Sequence, residues 1–456
     1  MQADDALNAK RWSNAVPWLL ALSIESILLY LVWLGDLRTQ IHSLWLALLG
    51  LSIVYGGAVF WTLYQKSGSV RTLILFGLLF RLTMWNSPVS LSDDIYRYVW
   101  DGRVQLAGIN PYRYAPEDDE LTSLRDSTIY TAINHRQVPT IYPPLAQAFF
   151  AMTGAISEHL GTVKMGLIAL DIGLCLLLAR FLTLRSMDPR RTLIYAWHPL
   201  PLIEIAGSGH IDILGSFFAL AALYALVQHR RVLAYALLAA ATLSKLVPAF
   251  ALPVFWRYRE RTPSNRLRSL FSLSGRAPFL AFIAVISLGY IPYVDFSTQT
   301  FSGLSTYLSH WHFNDFFYSL FRSLLTSLKP SAAVYARWIC ALLMIAAISC
   351  ATRSTEDPLL GTYWCLGAYV LLSPTLHPWY MIWIMPFMPF FPSAAWLTLS
   401  VLVFLAYEVL IDYSLSGVWL EKPWVRWGQY APFFSLLLSS CIYSYWRTIR
   451  RNANRS

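Results

Sequence analysis

Ionisable side chains recur inside otherwise apolar runs of this chain: Arg81 in FRLTMW, Asp171 in ALDIGL, Glu204 in LIEIAGSGH, His210 and Asp212 in GSGHIDI, Lys245 in LSKLVP and His377 in TLHPWY. A charge surrounded by hydrocarbon is costly, so residues of this kind tend to mark a site or a pathway. Singly, each has an ordinary explanation, such as a snorkelling Arg81 or a helix-capping Asp212. As a set they mix fixed cations, to which the loop residues Arg97, Arg103 and Arg113 add, with carboxylates and histidines. That mixture suits a phosphate-bearing amphiphile placed next to a polar acceptor.

The run Ser92-Asp93-Asp94 offers the complementary chemistry. It opens a polar stretch directly after an apolar one, which makes Ser92 or Asp93 a helix cap and Asp94 a partner of the helix dipole. The same place at a water–membrane boundary also suits a general base, because partial desolvation raises a carboxylate toward useful basicity. The two roles are compatible. His310 and His312 in SHWHFND, with Asp315, are metal-ligating types at a spacing that does not single out a metal site. A divalent cation stays open, and no other cofactor is indicated. Aromatic residues form 15% of the chain, and runs such as HPWYMIW read as interfacial anchors, a minority of which could stack on sugar or line a lipid groove. No phosphate-cradling glycine loop, dinucleotide fingerprint, nucleophile elbow or zinc-protease helix occurs.

The elements that position these residues have to be membrane helices. Of 456 residues, 56% are hydrophobic and 13% charged, and the mean hydropathy is +0.47. A soluble domain carries about a quarter charged residues, so a cytoplasmic globule, a disordered chain and a nucleic-acid reader are all excluded. The expected fold is all-α: a polytopic membrane bundle, one integral domain over residues 1–456. Apolar segments fall at roughly 15–35, 43–64, 72–87, 166–184, 191–206, 210–228, 232–256, 276–293, 332–351, 358–374, 377–392, 395–412 and 431–448. Lys245 and Pro248 break the 232–256 run in two, for about 13–14 crossings with both termini cytoplasmic. The first apolar stretch is read as a retained helix.

Basic residues then gather in alternate connections, as in Arg185, Arg190 and Arg191, in Arg230 and Arg231, and in Arg257, Arg259, Arg261, Arg266, Arg268 and Arg276. Their placement accounts for most of the net charge of +10. For this topology to hold, the stretch YPPLAQAFFAMTGAIS from Tyr142 has to be re-entrant or in-plane. Two long extracytoplasmic polar segments remain, 86–141 and 294–330. In the first, Tyr96, Val99, Trp100 and Val104 recur at helical spacing while Arg97, Asp101 and Gln105 take another face, which reads as an amphipathic helix on the membrane surface. The five cysteines lie inside apolar runs without paired spacing and indicate neither a disulfide framework nor a zinc site.

The order of these motifs carries a likeness. An acidic pair opening the first long loop, then DIYRYVWDGRVQLAGINPYRYAP, then IYPPLAQ at the return to the membrane, resembles the GT-C superfamily of polytopic glycosyltransferases. The later segments WHPLPLIEIAGSGHIDILG, LSKLVPAFALPVFW and SPTLHPWYMIWIMPF look like the bacterial mannosyltransferase branch that uses polyprenyl-phosphate sugars. The resemblance implies inverting transfer of a hexose, mannose first, from a polyprenyl-phosphate donor to a lipid or glycan acceptor on the outer face of the cytoplasmic (inner) membrane. Its acidic position falls on Asp93 with Asp94 beside it, its basic position on Lys245, and His377 matches the His-Pro-Trp-Tyr element. On this reading Asp93 accepts the proton of the acceptor hydroxyl and Asp93→Asn abolishes transfer, with the choice between Asp93 and Asp94 as base left open. The donor-phosphate candidates are Lys245, Arg81, Arg97, Arg103 and His377; the acceptor or sugar candidates are His210, Asp212, Glu204, His312 and Tyr142. The competing reading is a transporter or flippase of a lipid-linked sugar, which would show two related halves; none is evident.

Overall fold

The computed structural model describes residues 2–258, 273–294, 298–328 and 331–453. Arg259, Arg261, Arg266 and Arg268 of the largest basic connection lie outside the described residues. Among those described the fold is all-helical, with one isolated bridge between Phe313 and Thr375. Among the described residues, six helical stretches are long and apolar enough to cross a bilayer: Val16–Trp33, Ile41–Tyr64, Leu160–Leu184, Arg276–Tyr293, Ala332–Ser354 and Ala394–Ser416. Their outward faces are apolar, as at Trp338, Leu342 and Ile345, the arrangement expected when hydrocarbon is the solvent. The chain is a polytopic helical bundle.

Besides 395–412, which passes through a 3-10 turn at Val403–Glu408, three expected crossings are not continuous α-helices. Residues 191–206 run through short turns and a π-helical turn at Leu202–Gly207, the second half of 232–256 contains the 3-10 turn Val247–Ala251, and 377–392 is built on the 3-10 turns Pro378–Trp383 and Met385–Phe387. The first and last of these are almost wholly buried. Irregular backbone at membrane depth is tolerable only when enclosed by protein. The break expected in LSKLVP is present, with helix Arg231–Ser244 ending at an extended Lys245.

Four elements frame the site: α1 (Val70–Trp85), α2 (Asp94–Leu106), α3 (Pro144–Ile156) and α4 (Leu160–Leu184). Helix α3 has 13 residues, about 20 Å of rise, short of a roughly 30 Å hydrocarbon core. It packs against α2 so closely that a Cβ on Gly102 would lie 2.5 Å from the Phe150 carbonyl oxygen.

The expected polar surface of α2 is instead internal. Arg97 Nε meets Asp101 Oδ1 at 2.7 Å, and Asp101 also accepts hydrogen bonds from Thr140 and Gln147, so this face is glued to the loop and to α3. Lys164 on α4 holds the preceding turn, its Nζ donating to the carbonyls of Met84, Trp85 and Ser87 at the end of α1. These contacts orient the chain that leads into Asp93 and Asp94.

Candidate active site

The two adjacent aspartates point to different partners. Asp93 stands at the start of α2 but its side chain makes no capping bond; Ser92 Oγ accepts weakly from the Asp94 amide at 3.3 Å. Asp93 Oδ1 receives Arg38 Nη2 at 2.7 Å, while Arg38 Nε donates to the Ser90 carbonyl, so the carboxylate clasps the turn between the first two long helices. Asp94, one position on, faces His210, whose Nδ1 lies 3.8 Å from Asp94 Oδ2. Burial pushes the Asp94 carboxyl up to about 6, with Lys245 pulling it back and Asp212 and Asp93 adding to the rise. Its side chain is still 25% exposed, which leaves it reachable.

His210 is brought to α2 by the glycine before it. Gly209 has φ +81°, a backbone conformation that favours glycine, and a Cβ there would stand 2.6 Å from Ile95 Cδ1, whose side chain would have to move. The imidazole stacks on Trp379 at 3.7 Å and 12°, and the opposite stacking partner of that indole is His377, at 4.3 Å and 4°. His210 Nε2 lies 3.4 Å from Glu204 Oε2. Glu204 comes from the π-helical turn and accepts from Tyr407 Oη at 2.8 Å through its other oxygen.

Beside this stack sits the one ion pair of the cluster. Lys245 Nζ contacts both oxygens of Asp212, at 2.7 and 2.9 Å, and Trp383 Nε1 donates to Asp212 Oδ1 at 2.8 Å. The ammonium also lies 4.4 Å from the centre of the Tyr380 ring, whose hydroxyl is 2.6 Å from that of Tyr307. The Lys245 side chain is 19% exposed while Asp212 is enclosed, so the cation is the reachable member of the pair. Tyr142 borders the site through Tyr98, the two rings meeting edge to face at 5.1 Å. Chemically, the cluster offers a carboxylate of raised basicity and an ammonium, with a wall of stacked rings.

A family model for the N-terminal domain of alpha-(1->6)-mannopyranosyltransferases matches residues 13–258, and one for the MptB C-terminal domain matches residues 319–426. The chain belongs to the alpha-(1->6)-mannopyranosyltransferase family. It is therefore a glycosyltransferase, and mannosyl transfer is its activity class. No curated protein matches it. Both matched segments of this mannosyltransferase supply the cluster: Asp94, Glu204, His210, Asp212 and Lys245 come from the first, His377, Trp379, Trp383 and Tyr407 from the second.

Other expected site residues of the mannosyltransferase lie elsewhere. Arg81 is fully enclosed, its Nε 2.6 Å from Asp171 Oδ2 and its Nη1 donating to the carbonyls of Gly77 and Ala196, with Tyr195 Oη closing on the same aspartate. Its Nη2 faces the Cys175 sulfur at 3.9 Å and none of the side chain is exposed, so Arg81 is not placed to meet a donor phosphate. Arg97 is spent on Asp101 and the Val138 carbonyl, and Arg103 on Asp126, Glu158 and the Leu124 carbonyl, so both brace the first loop instead of presenting donors to a phosphate. His312 belongs to a separate group, 4.0 Å from Glu421 and 3.5 Å from Arg322.

Among the described residues no trio of His, Cys, Asp or Glu side chains is disposed to hold a metal ion; Asp93 is paired with Arg38 and Asp94 faces His210. Sequence reasoning missed Arg38, Tyr407 and Trp383. Trp383 lies in the same aromatic run as His377, and the mixed apolar–aromatic signature that reads as membrane anchoring was the only signal available for it.

Proposed function

We propose that this mannosyltransferase moves a mannosyl group, with inversion at the anomeric carbon, from a polyprenyl-phosphate donor to a hydroxyl of a lipid or glycan acceptor at the extracytoplasmic face of the inner membrane. Asp94 is the general base. As the acceptor oxygen attacks the anomeric carbon, its proton passes to the Asp94 carboxylate, the new C–O bond forms, and the bond from the anomeric carbon to the phosphate oxygen breaks. Negative charge grows on the departing lipid phosphate, and Lys245 offsets it with the ammonium hydrogen that Asp212 does not hold. A lipid phosphate leaves readily, so the residues present need no nucleotide cradle.

The observation that carries this reading is the pairing of a reachable carboxylate, raised to about 6 by its surroundings, with a reachable ammonium close enough to lower it again. At neutral pH such a carboxylate is ionised yet a stronger base than a solvated one. The Trp379 ring between two imidazoles offers a flat wall near the base. The test is Asp94→Asn in membranes supplied with polyprenyl-phosphate mannose and, separately, its glucose analogue, with identification of the labelled product. Loss of product with normal expression is expected. Full retained turnover, or label that crosses the membrane without forming a glycosidic bond, overturns the proposal.

A further inference from the structure

His210 stands between two carboxylates, and neither of its ring nitrogens has a hydrogen-bond partner although the side chain is 1% exposed. Glu204 Oε2, on the far side of the ring, is equally without one. Two fully enclosed polar groups left open toward each other and toward Asp94 are expensive unless the arrangement closes when substrate excludes water. The ring plane is already set by Trp379, so only short movements along it are needed.

The order of donors is determined by the surroundings. The groups facing His210 are Asp94 from α2, Glu204 from its own segment, and the more distant Lys245 and His377; those facing Glu204 are Tyr407, Ser208 and Asp212. With Asp94 ionised and the imidazole neutral, one ordering alone sets no lone pair against another along this row: Tyr407 O–H to Glu204 Oε1, the O–H of a protonated Glu204 from Oε2 to His210 Nε2, and His210 Nδ1–H to Asp94 Oδ2. Fixing the tautomer through the second nitrogen is how a buried carboxyl orients an imidazole.

We propose that His210 is the positioning residue of the base, holding the Asp94 carboxylate toward the acceptor through Nδ1–H, and that Glu204 with Tyr407 sets the tautomer that allows it. This rests on Asp94 being the base and assigns to His210 and Glu204 a task other than contact with sugar. No proton leaves the chain in the step itself; the hydrogen bond fixes the carboxylate direction and favours its ionised form.

The experiment compares purified full-length enzyme carrying His210→Phe, Glu204→Leu or Glu204→Gln with the parent, measuring kcat, KM for the lipid donor, and the pH dependence of kcat/KM. His210→Phe keeps the stack on Trp379 but has no N–H. It is expected to lower kcat by about a hundredfold, to leave KM within a few-fold, and to move the acidic limb of the profile to higher pH, because a carboxylate deprived of a donor holds its proton more tightly. Glu204→Leu is expected to act in the same direction, and Glu204→Gln, whose amide can accept from Tyr407 and donate to Nε2, to recover most of what Glu204→Leu loses. Glu204→Leu leaves the imidazole in place and carries the reading alone if His210→Phe does not fold. Parental kcat in either apolar variant, or a lower kcat with the acidic limb unmoved, overturns the inference. If Asp94→Asn retains full turnover in the same series, the base assignment itself has failed, which is a separate outcome.

Discussion

Asp93 and Asp94 have the same chemistry and adjacent numbers, yet Asp93 spends its charge on Arg38 and Asp94 keeps a side chain a quarter exposed beside His210. The expected phenotypes differ accordingly. Asp93→Asn removes a partly exposed ion pair of the kind worth about 0–1 kcal/mol, so turnover is expected to remain within a few-fold of the parent, whereas Asp94→Asn is expected to lose about a hundredfold or more; the same radiolabel assay reads both. The pH dependence follows with its sign. Asp94 must be ionised to accept a proton, and its value is raised to about 6, so kcat/KM is expected to rise with pH through that region and level off above it. Because Lys245 lowers that value, Lys245→Met is expected to shift the rise to higher pH as well as to weaken catalysis. An initial-rate profile from pH 5 to 8 checks both statements, and a flat profile would contradict them.

At the level of elements, two features keep the site in register: the left-handed Gly209 and the enclosed Arg81–Asp171 pair that ties α1 to α4. Gly209→Ala is expected to cost about 1–3 kcal/mol of strain and to meet Ile95, lowering the thermal unfolding midpoint in detergent together with turnover. Arg81→Met leaves Asp171 charged and enclosed, a change worth about 3–5 kcal/mol, and the double variant Arg81→Met with Asp171→Leu is expected to regain much of that stability on the same measurement. Arg81 and Lys245 were indistinguishable in sequence, each a cation within an apolar run. What separates them is the surroundings: Arg81 is wrapped by a carboxylate and two carbonyls, while Lys245 sits at a helix break with part of its side chain open. The break at LSKLVP was legible because proline and a mid-run lysine both oppose a continuous helix, whereas the polar face of α2 was misplaced because its partners, Thr140 and Gln147, arrive from about forty residues away.

For the whole molecule, composition alone was sufficient for the membrane bundle, since hydropathy depends on no tertiary contact. The gathering of His210, Asp212, Lys245 and His377 into one neighbourhood was foreshadowed by their shared oddity of being ionisable among apolar residues, whereas Asp94 was marked by its place at the head of the first long loop. Its aromatic wall was not, because Trp379 and Trp383 look like any interfacial anchor until the buried turns that carry them are seen. The sidedness belongs to this scale too. Reporters fused after Tyr130 and after Arg268 are expected to report opposite sides of the membrane, with Tyr130 outside, and a same-side result from paired enzymatic and fluorescent fusions would invert the arrangement on which the donor assignment depends.

The clasp between Arg38 and Asp93 carries a consequence for how this stretch can change length. Successive side chains on a helix are splayed by about 100°, so a lone carboxylate cannot answer a guanidinium on one side and an imidazole on the other. Deleting either aspartate therefore forces a choice: the hairpin is left untethered or the imidazole loses its acid. Point replacement at Asp93 keeps the length of the turn that leads into α2, whereas a single-codon loss there shortens that turn and pulls Asp94 back from its place beside His210.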